Sequence, residues 1–251
     1  MLISVKNLKS IFKVHPIGTL HVGAHKAEEA ADYEKFEFTP VVWIEAQEDL
    51  IRDCRLNVKK FPEKNHKFFQ GLIWNEDNIL LDFHKANHSQ SSSLFEFARH
   101  KKLYPEIESV AISRMRTITL AKLLPDNVEF DFINLDIQGS ELQALQGLGE
   151  RIRELKWIYV EVNKKEIYKG IPLVSDLDKF LKNYSFFRVV TKWVAGSGWG
   201  DALYMRSDIY FGLSKIQQIQ IYFTKCFYLL NFKIVMRVFQ KFFFEIKHSL
   251  K

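Results

Sequence analysis

The chain has 251 residues, and 47% of them are apolar, which suits one α/β domain with additions or at most two small domains. The formal charge of +6 lies wholly in residues 213–251, since residues 1–212 hold 29 basic and 29 acidic side chains. The excess of basic residues is therefore confined to residues 213–251, and it predicts no nucleic-acid partner. Cys54 and Cys226 lack metal spacing and are too few for a disulfide framework. We expect no signal peptide in residues 1–15, because charged and apolar side chains alternate there. We therefore expect a cytoplasmic protein.

Residues 1–15 are predicted to form a short amphipathic helix. From Ile17, the sequence Ile-Gly-Thr-Leu-His-Val-Gly-Ala-His-Lys-Ala-Glu predicts a buried strand, a turn at Gly23 and a helix whose first turn contains Glu28. A carboxylate suits the first turn of a helix because the N-terminal end of the helix dipole is positive.

The next predicted strand ends in Glu45, about 20 residues after the turn, where a nucleotide-binding βαβ unit places a carboxylate on a ribose. The turn is not a dinucleotide fingerprint, because only Gly23 is a glycine and His25 would crowd a pyrophosphate. These residues favour a cofactor that contains adenosine but no phosphate, and S-adenosylmethionine is the obvious candidate. A strand and a helix that merely pack together remain the alternative.

Further along the chain, strands and helices continue to alternate. The predicted strands are 67–73, 79–84, 114–120, 130–136, 156–163, 186–193 and 202–205, and the predicted helices are 47–60, 141–148 and 173–183. This alternation predicts a parallel sheet with helices on both faces. Three strand ends carry acids, Glu45, Asp136 and Glu161, and ligands bind at that edge of such sheets.

Six stretches carry a resemblance to a known family. They are His21–His25 with Glu28, Trp43–Ala46, Ser91–Ser93, Leu135–Glu141, Tyr159–Asn163 and Gly198–Tyr204. Together they resemble the FkbM family of S-adenosylmethionine-dependent methyltransferases. The resemblance implies an α/β, Rossmann-like class I methyltransferase fold over residues 1–212, with a mostly parallel sheet and an antiparallel last strand. It also implies O-methylation of a sugar, glycan or glycosylated metabolite.

The resemblance also implies site residues. Cofactor contacts fall on His21, Gly23, Ala24, His25, Glu28, Glu45, Ala46 and Asp136, with Glu45 on the ribose hydroxyls and Gly23 near the methionine end. Substrate contacts fall on Ser91, Ser92, Ser93, Asn163, Trp199 and Asp201, although the serines also suit a solvated loop. The sequence departs from the family pattern at His25, Ala27 and Gln138, where Asn, Gly and Glu are frequent, so His25 and Gln138 receive no firm role.

Transfer of a methyl group to a hydroxyl requires in-line alignment and removal of a proton. Asp136 and Glu161 are the carboxylates predicted to assist, and His25 is the best-placed histidine, unless it only bonds to backbone in a buried turn. Asp136 and Glu161 would also be the ligands of a divalent cation such as Mg²⁺, which stays open. Glu141 is expected to accept hydrogen bonds from amides at a helix start.

Residues 213–251 are predicted to be a C-terminal helical extension with a basic stripe and an aromatic face. The stripe consists of Lys225, Lys233, Arg237 and Lys241. Because basic residues interrupt the apolar runs, a transmembrane span is not predicted. Packing on the catalytic body or on a second subunit is favoured, and contact with an anionic membrane surface is the alternative.

Three functions are compared. The first is the O-methyltransferase. The second is an NAD(P)-dependent oxidoreductase on a related fold, disfavoured by the missing glycines at positions 25 and 28. The third is a non-catalytic module that binds a membrane or a partner, disfavoured because such a module does not need acids at 45, 136 and 161.

Overall fold

The computed structural model describes residues 1–87, 92–95 and 109–229. The strands are β1 (Thr19–Val22), β2 (Val41–Glu45), β3 (His66–Gln70), β4 (Leu72–Ile73), β5 (Leu80–Ala86), β6 (Ser109–Ile118), β7 (Phe132–Leu135), β8 (Trp157–Asn163), β9 (Phe186–Trp193) and β10 (Trp199–Arg206). The α-helices are α1 (Val5–Ser10), α2 (Ala30–Lys35), α3 (Glu48–Val58), α4 (Leu120–Leu123), α5 (Glu141–Gln146), α6 (Val174–Lys182), α7 (Ser207–Gly212) and α8 (Lys215–Leu229). Short 3₁₀-helices cover Glu63–Asn65 and Gly149–Glu154.

Seven of the described strands form the main sheet, in the order β3-β2-β1-β7-β8-β10-β9. Strands β1, β2, β3, β7 and β8 run parallel, whereas β10 runs antiparallel to both of its neighbours. The chain moves outward from β1 to β3 and then returns to the other side of β1 as β7, so the strand order reverses between β1 and β7. The predicted Rossmann-like α/β fold, with an antiparallel last strand, is confirmed.

Helices cover both faces of this sheet. Every residue of β1, β2, β7 and β8 is buried, as expected for parallel strands between two helical layers. Successive side chains point to opposite faces. In β2, Val42 and Ile44 enter a core shared with α4, α5 and α6, while Val41 and Trp43 enter a core shared with α1, α2, α3 and α8.

Two predicted helices are shorter than expected. The predicted helix over 1–15 contains only α1, because Ser4 caps it at one end and Lys13 has a left-handed backbone (φ 58°) after the other. The helix after the first turn begins at Ala30, so Glu28 precedes it. His25 and Ala27 have positive φ angles of 45° and 56°, which an α-helix does not accommodate.

The predicted strand over 67–73 is divided at Gly71. Its second part, β4, leaves the main sheet and pairs with β6, and β6 pairs with β5 in a three-stranded sheet. Ser93 bridges to His84 of β5, which places Ser93 beside this smaller sheet. Ser91 lies outside the described residues.

The described part of the C-terminal extension is helical. α8 packs on β9 through Ile221, which is 2% exposed, while Ile216 and Tyr222 are largely exposed. Of the predicted basic stripe only Lys225 lies in the described residues. Within that part of the chain, no helix is long and apolar enough to cross a membrane. Contact of this extension with a membrane or a second subunit stays a prediction.

The approach of the chain to β1 depends on a glycine. A Cβ at Gly18 would lie 2.3 Å from the carbonyl oxygen of Glu129, and the carbonyl of Gly18 accepts hydrogen bonds from the amides of Asp131 and Phe132. We expect Gly18→Ala to lower the free energy of unfolding by about 1–3 kcal/mol through overpacking, measured by chemical denaturation. Gly212→Ala is the matched control, because a Cβ there meets nothing within 4 Å. Equal effects of the two substitutions would contradict the steric explanation.

Candidate active site

The site lies at the carboxyl edge of the main sheet, where the strand order reverses. Val22 of β1 pairs with Ile44 of β2 and with Leu135 of β7, so the residues that follow these three positions meet at one level. They are Gly23, Glu45 and Asp136. Glu161 of β8 pairs with Asp201 of β10 and extends the same edge. The register of the sheet therefore gathers five of the predicted site residues.

Gly23 allows the backbone after β1 to lie close to the backbone after β7 at this edge. Its φ angle is +84°, and a Cβ there would lie 1.9 Å from the carbonyl oxygen of Asp136. The amides of Gly23 and Ala24 donate to the carbonyl of Ile44 at 2.9 and 3.0 Å. The turn thus joins the ends of β1, β2 and β7, and only glycine fits at its first position.

Glu45 holds this turn through its side chain. Its carboxylate accepts hydrogen bonds from the amides of His25 (3.0 Å), Ala46 (2.9 Å) and Gln47 (3.0 Å). Burial raises the pKa of Glu45, while these amides oppose the rise. A carboxylate has about four acceptor positions, so these three bonds leave capacity for a ligand hydroxyl.

His25 and Glu28 form an ion pair, with Nδ1 of His25 2.6 Å from Oε1 of Glu28. The bond to Glu28 raises the pKa of His25. Burial opposes ionisation of Glu28, but the bonds from His25 and from backbone amides lower its pKa to about 2. This pairing favours the protonated imidazole, and the role of His25 as a base stays a prediction. The other histidine of this stretch, His21, is buried, and its ring nitrogens lie within 3.3 Å of polar atoms of Tyr33 and Asn134.

A cluster of carboxylates lies beyond the turn. The side chain of Asp136 is open to the cavity, whereas Glu161 is 8% exposed. The side-chain nitrogen of Gln138 donates to Oδ1 of Asp136 at 2.9 Å and to Oε2 of Glu161 at 3.2 Å. Surrounding protein withdraws both carboxyls from bulk water and raises both pKa values; for Glu161, the neighbouring Asp136 adds to this effect.

Two further acids support the cluster. Glu141 accepts hydrogen bonds from the amides of Ile137 and Gly139, which confirms its predicted role at the start of α5. Burial nevertheless raises the pKa of Glu141 to about 7. Asp201 accepts from the hydroxyl of Tyr159 and from the amide of Leu2, which brings the N-terminal segment to the site.

These residues line one cavity of about 470 Å³, a volume within the usual range for small-molecule sites. The predicted residues that line it are His21, Gly23, Ala24, His25, Glu28, Glu45, Ala46, Ser92, Asp136, Glu161, Trp199 and Asp201. Two others do not. Ser93 is buried and its hydroxyl donates to the carbonyl of Gln138, and Asn163 is buried in β8.

Sequence reasoning missed Tyr168 and left Gln138 without a role, although both line the cavity. Gln138 could have been found from its place in the Asp-x-Gln-Gly turn. Tyr168 lies in an irregular segment after β8, and nothing in the sequence separates it from a surface aromatic residue.

The charges of the lining suit a cationic cofactor. Six acids line the cavity, and no Lys or Arg of the described residues does. Glu28 pairs with His25 and Glu29 with the Met1 ammonium, so the carboxylates remain in excess over the cations of the lining. S-adenosylmethionine carries a positive sulfonium and no phosphate, so the donor set fits it, whereas a pyrophosphate would face this excess of negative charge. Among the described residues, no group of three or more His, Cys, Asp and Glu side chains is arranged to hold a metal ion.

The sheet order, the glycine turn and the carboxylate at the end of β2 define a Rossmann-like methyltransferase. The family model for the methyltransferase FkbM domain matches residues 21–187. The chain therefore belongs to the FkbM methyltransferase family, whose cofactor is S-adenosylmethionine. A comparison with curated proteins found no match.

Solved structures show similar folds at low identity. An S-adenosylmethionine-dependent methyltransferase from Aquifex aeolicus is 18% identical, with 75% of this chain and 81% of that chain covered and a TM-score of 0.40. Magnesium protoporphyrin IX methyltransferase from Synechocystis PCC 6803 is 11% identical, with 81% and 80% covered and a TM-score of 0.47. A protein in the NADB-Rossmann superfamily from Streptococcus agalactiae is 10% identical, with 92% and 78% covered and a TM-score of 0.47.

The buried position of Glu161 predicts an effect of pH on stability. Because its folded pKa is raised, its contribution to stability is full below the unfolded pKa of about 4.3 and is lost as the pH rises through the folded pKa. Glutamine does not ionise. We expect Glu161→Gln to raise the melting temperature at pH 8 by about 2–4 °C for each kcal/mol recovered, with a smaller difference at pH 5.

Glu150→Gln is the control, because the Glu150 side chain is 84% exposed and such changes usually stay within about 0.5 kcal/mol. A melting-temperature difference for Glu161→Gln that does not grow with pH would contradict the buried-carboxylate explanation.

Proposed function

We propose that this methyltransferase transfers a methyl group to a hydroxyl of a sugar, a glycan or a glycosylated metabolite. The observation that carries the proposal is the pair Asp136 and Glu161, two carboxyls with raised pKa values in the cavity that the glycine turn borders. A hydroxyl acceptor must lose a proton during the transfer, and a carboxylate of raised pKa is a stronger base than an ordinary one.

The residues that would hold S-adenosylmethionine are Gly23 and Ala24 near its methionine end and Glu45 at its ribose hydroxyls, with His21, Glu28 and Ala46 around them. When bound, the cofactor supplies a methyl group already activated by the positive charge on sulfur. The anionic lining of the cavity stabilises that charge, and the rigid turn at Gly23 keeps the binding site in place.

Asp136 is the base that this geometry favours. One of its oxygens, Oδ1, accepts from Gln138, and no hydrogen bond to Oδ2 is present among the described residues. Because the side chain is open to the cavity, Oδ2 is available to accept the proton of the acceptor hydroxyl. Glu161 is more deeply placed than Asp136.

The acceptor side of the cavity is lined by polar and aromatic groups. Trp199 and Phe83 offer ring surfaces on which the apolar face of a sugar could stack, and Ser92 and Asp201 offer polar atoms nearby. This mixture suits a hydroxylated acceptor of small size. The proposal includes no nucleic-acid substrate.

A divalent cation on Asp136 and Glu161 is a variant of the same proposal. These two carboxylates would need further oxygen ligands from water or from the acceptor itself. Methyl transfer measured after chelation and again with added Mg²⁺ distinguishes the variants, because a cation-dependent reaction stops with the chelator and recovers with the metal.

Replacing the base tests the mechanism. We expect Asp136→Asn to lower kcat by about 10²–10⁴-fold, the usual contribution of a general base, with S-adenosylhomocysteine affinity changed by less than about tenfold. The measurements are transfer of radiolabelled methyl groups to a panel of glycosides and calorimetric titration. Asp82→Asn, which removes an exposed partner of Arg114, is the control. Normal turnover by Asp136→Asn would remove Asp136 from the mechanism.

Replacing Glu45 tests the cofactor site. Because Glu45 anchors three amides of the turn and would bind the ribose, we expect Glu45→Ala to weaken S-adenosylhomocysteine binding by more than about tenfold, or 1.4 kcal/mol. Calorimetric titration measures this, with the neighbouring exposed Glu48→Ala as control. A parallel titration with NADH tests the oxidoreductase alternative, and binding of NADH alone would overturn the cofactor assignment.

A further inference from the structure

The side-chain amide of Gln138 lies between two carboxylates and a tyrosine. Its nitrogen donates to Asp136 and to Glu161, and its carbonyl oxygen accepts from the hydroxyl of Tyr168 at 2.6 Å. Ionised carboxylates can only accept, so the amide NH₂ group must face the acids. The carbonyl must then face Tyr168, whose hydroxyl must donate. The chemistry of the partners fixes the direction of each bond.

The backbone at Gln138 is also fixed. Gln138 and Gly139 have positive φ angles of 56° and 110°. The hydroxyl of Ser93 donates to the carbonyl of Gln138 at 2.7 Å, and Glu141 accepts from the amide of Gly139 at 3.1 Å. A Cβ at Gly139 would lie 2.6 Å from Cγ2 of Ile171, so the turn is packed closely against the segment that follows β8. The backbone from which the Gln138 side chain extends is therefore held rigidly.

The surroundings make a bridging donor necessary. Asp136 and Glu161 repel each other when both are ionised, and Glu141 and Asp201 add to the repulsion at Glu161, whereas the Met1 ammonium and His25 favour ionisation of Asp136. Hydrogen bonds from one NH₂ group to both carboxylates offset that repulsion and set the angle of each. Without the donor, the two side chains would be expected to separate or to share a proton.

We propose that Gln138, held by Tyr168, is a positioning residue that orients Asp136 against Glu161 and leaves Oδ2 of Asp136 directed at the acceptor hydroxyl. Tyr168 acts through its hydrogen bond to Gln138. The inference rests on the proposed function for its catalytic consequence, but the hydrogen-bond network itself can be tested without an acceptor.

The first test is spectroscopic. The full chain, labelled with ¹⁵N-glutamine and saturated with S-adenosylhomocysteine, reports on the Gln138 side-chain amide by NMR, with Gln138→Met identifying its resonances. We expect Tyr168→Phe to shift these resonances and to speed the exchange of their hydrogens with solvent. Tyr204→Phe is the matched control, because it removes another tyrosine hydroxyl bonded to an acid, Asp178, away from the cavity.

The second test is kinetic. We expect Tyr168→Phe and Gln138→Met each to lower kcat by about 10–100-fold with little change in the KM for S-adenosylmethionine, the effect of losing a hydrogen bond to a charged group. In the Gln138→Met chain, the further change Tyr168→Phe is expected to lower kcat by less than about threefold, because residues that act as one unit are not additive.

Gln138→Glu keeps the shape of the side chain but replaces the bridging donor with a third carboxylate, and we expect it to lower kcat at least as much as Gln138→Met. Unchanged Gln138 resonances in Tyr168→Phe would overturn the proposal, as would equal kinetic effects of that change in both backgrounds. A network confirmed by NMR in a protein that methylates no glycoside would refute the proposed function and leave the positioning arrangement standing.

Discussion

Like charges crowded at one sheet edge are the constraint on which the rest of this structure depends. Burial makes ionisation of Asp136, Glu141, Glu161 and Asp201 costly, and the charge of Asp136 adds to the cost at the other three acids. The sheet cannot avoid the crowding, because the register of β7, β8 and β10 aligns the acids. The chain offsets the cost with donors, since buried charges are tolerated when they are hydrogen-bonded. Backbone amides donate to Glu141 and Asp201. The hydroxyl of Tyr159 also donates to Asp201, and Gln138 donates to Asp136 and Glu161.

Those donors explain the unusual backbone around the cavity. Amides can point at a carboxylate only where the chain turns sharply, and His25, Ala27, Gln138 and Gly139 all have positive φ angles. Each of these conformations costs free energy in a residue with a side chain. Short strands that are buried on both faces hold the turns in place. Because the sheet is rigid, the acids at the ends of its strands keep fixed positions. This arrangement is typical of sites that place strain where chemistry occurs.

The fold was predictable because its signals are local. Apolar runs that end in an acid identified β2, β7 and β8, and the acids themselves gave Glu45, Asp136 and Glu161. What escaped prediction depends on contacts between distant segments. The backbone carbonyl of Gln138 accepts a hydrogen bond from the hydroxyl of Ser93, 45 residues away. This serine was predicted to contact substrate, but its hydroxyl bonds to the turn. The amide of Leu2 reaches Asp201 across 199 positions, and Tyr168 reaches Gln138 from an irregular segment. Helix ends were missed because left-handed residues other than glycine leave no clear pattern.

The charge of the cavity connects the fold to the choice of cofactor. A Rossmann-like sheet can accept many nucleotides, and the glycine turn alone does not select among them. The charge of the cavity lining discriminates among these cofactors. Its six acids, without a Lys or Arg among the described residues, repel a pyrophosphate and attract a sulfonium. In the proposed function the same acids would also serve a hydroxyl acceptor, since a carboxylate whose ionisation is costly is the stronger base. Binding of a positive charge beside Asp136 and Glu161 favours their ionised forms. In the proposed function, a cationic cofactor held beside Asp136 would therefore keep this proposed base in its ionised form.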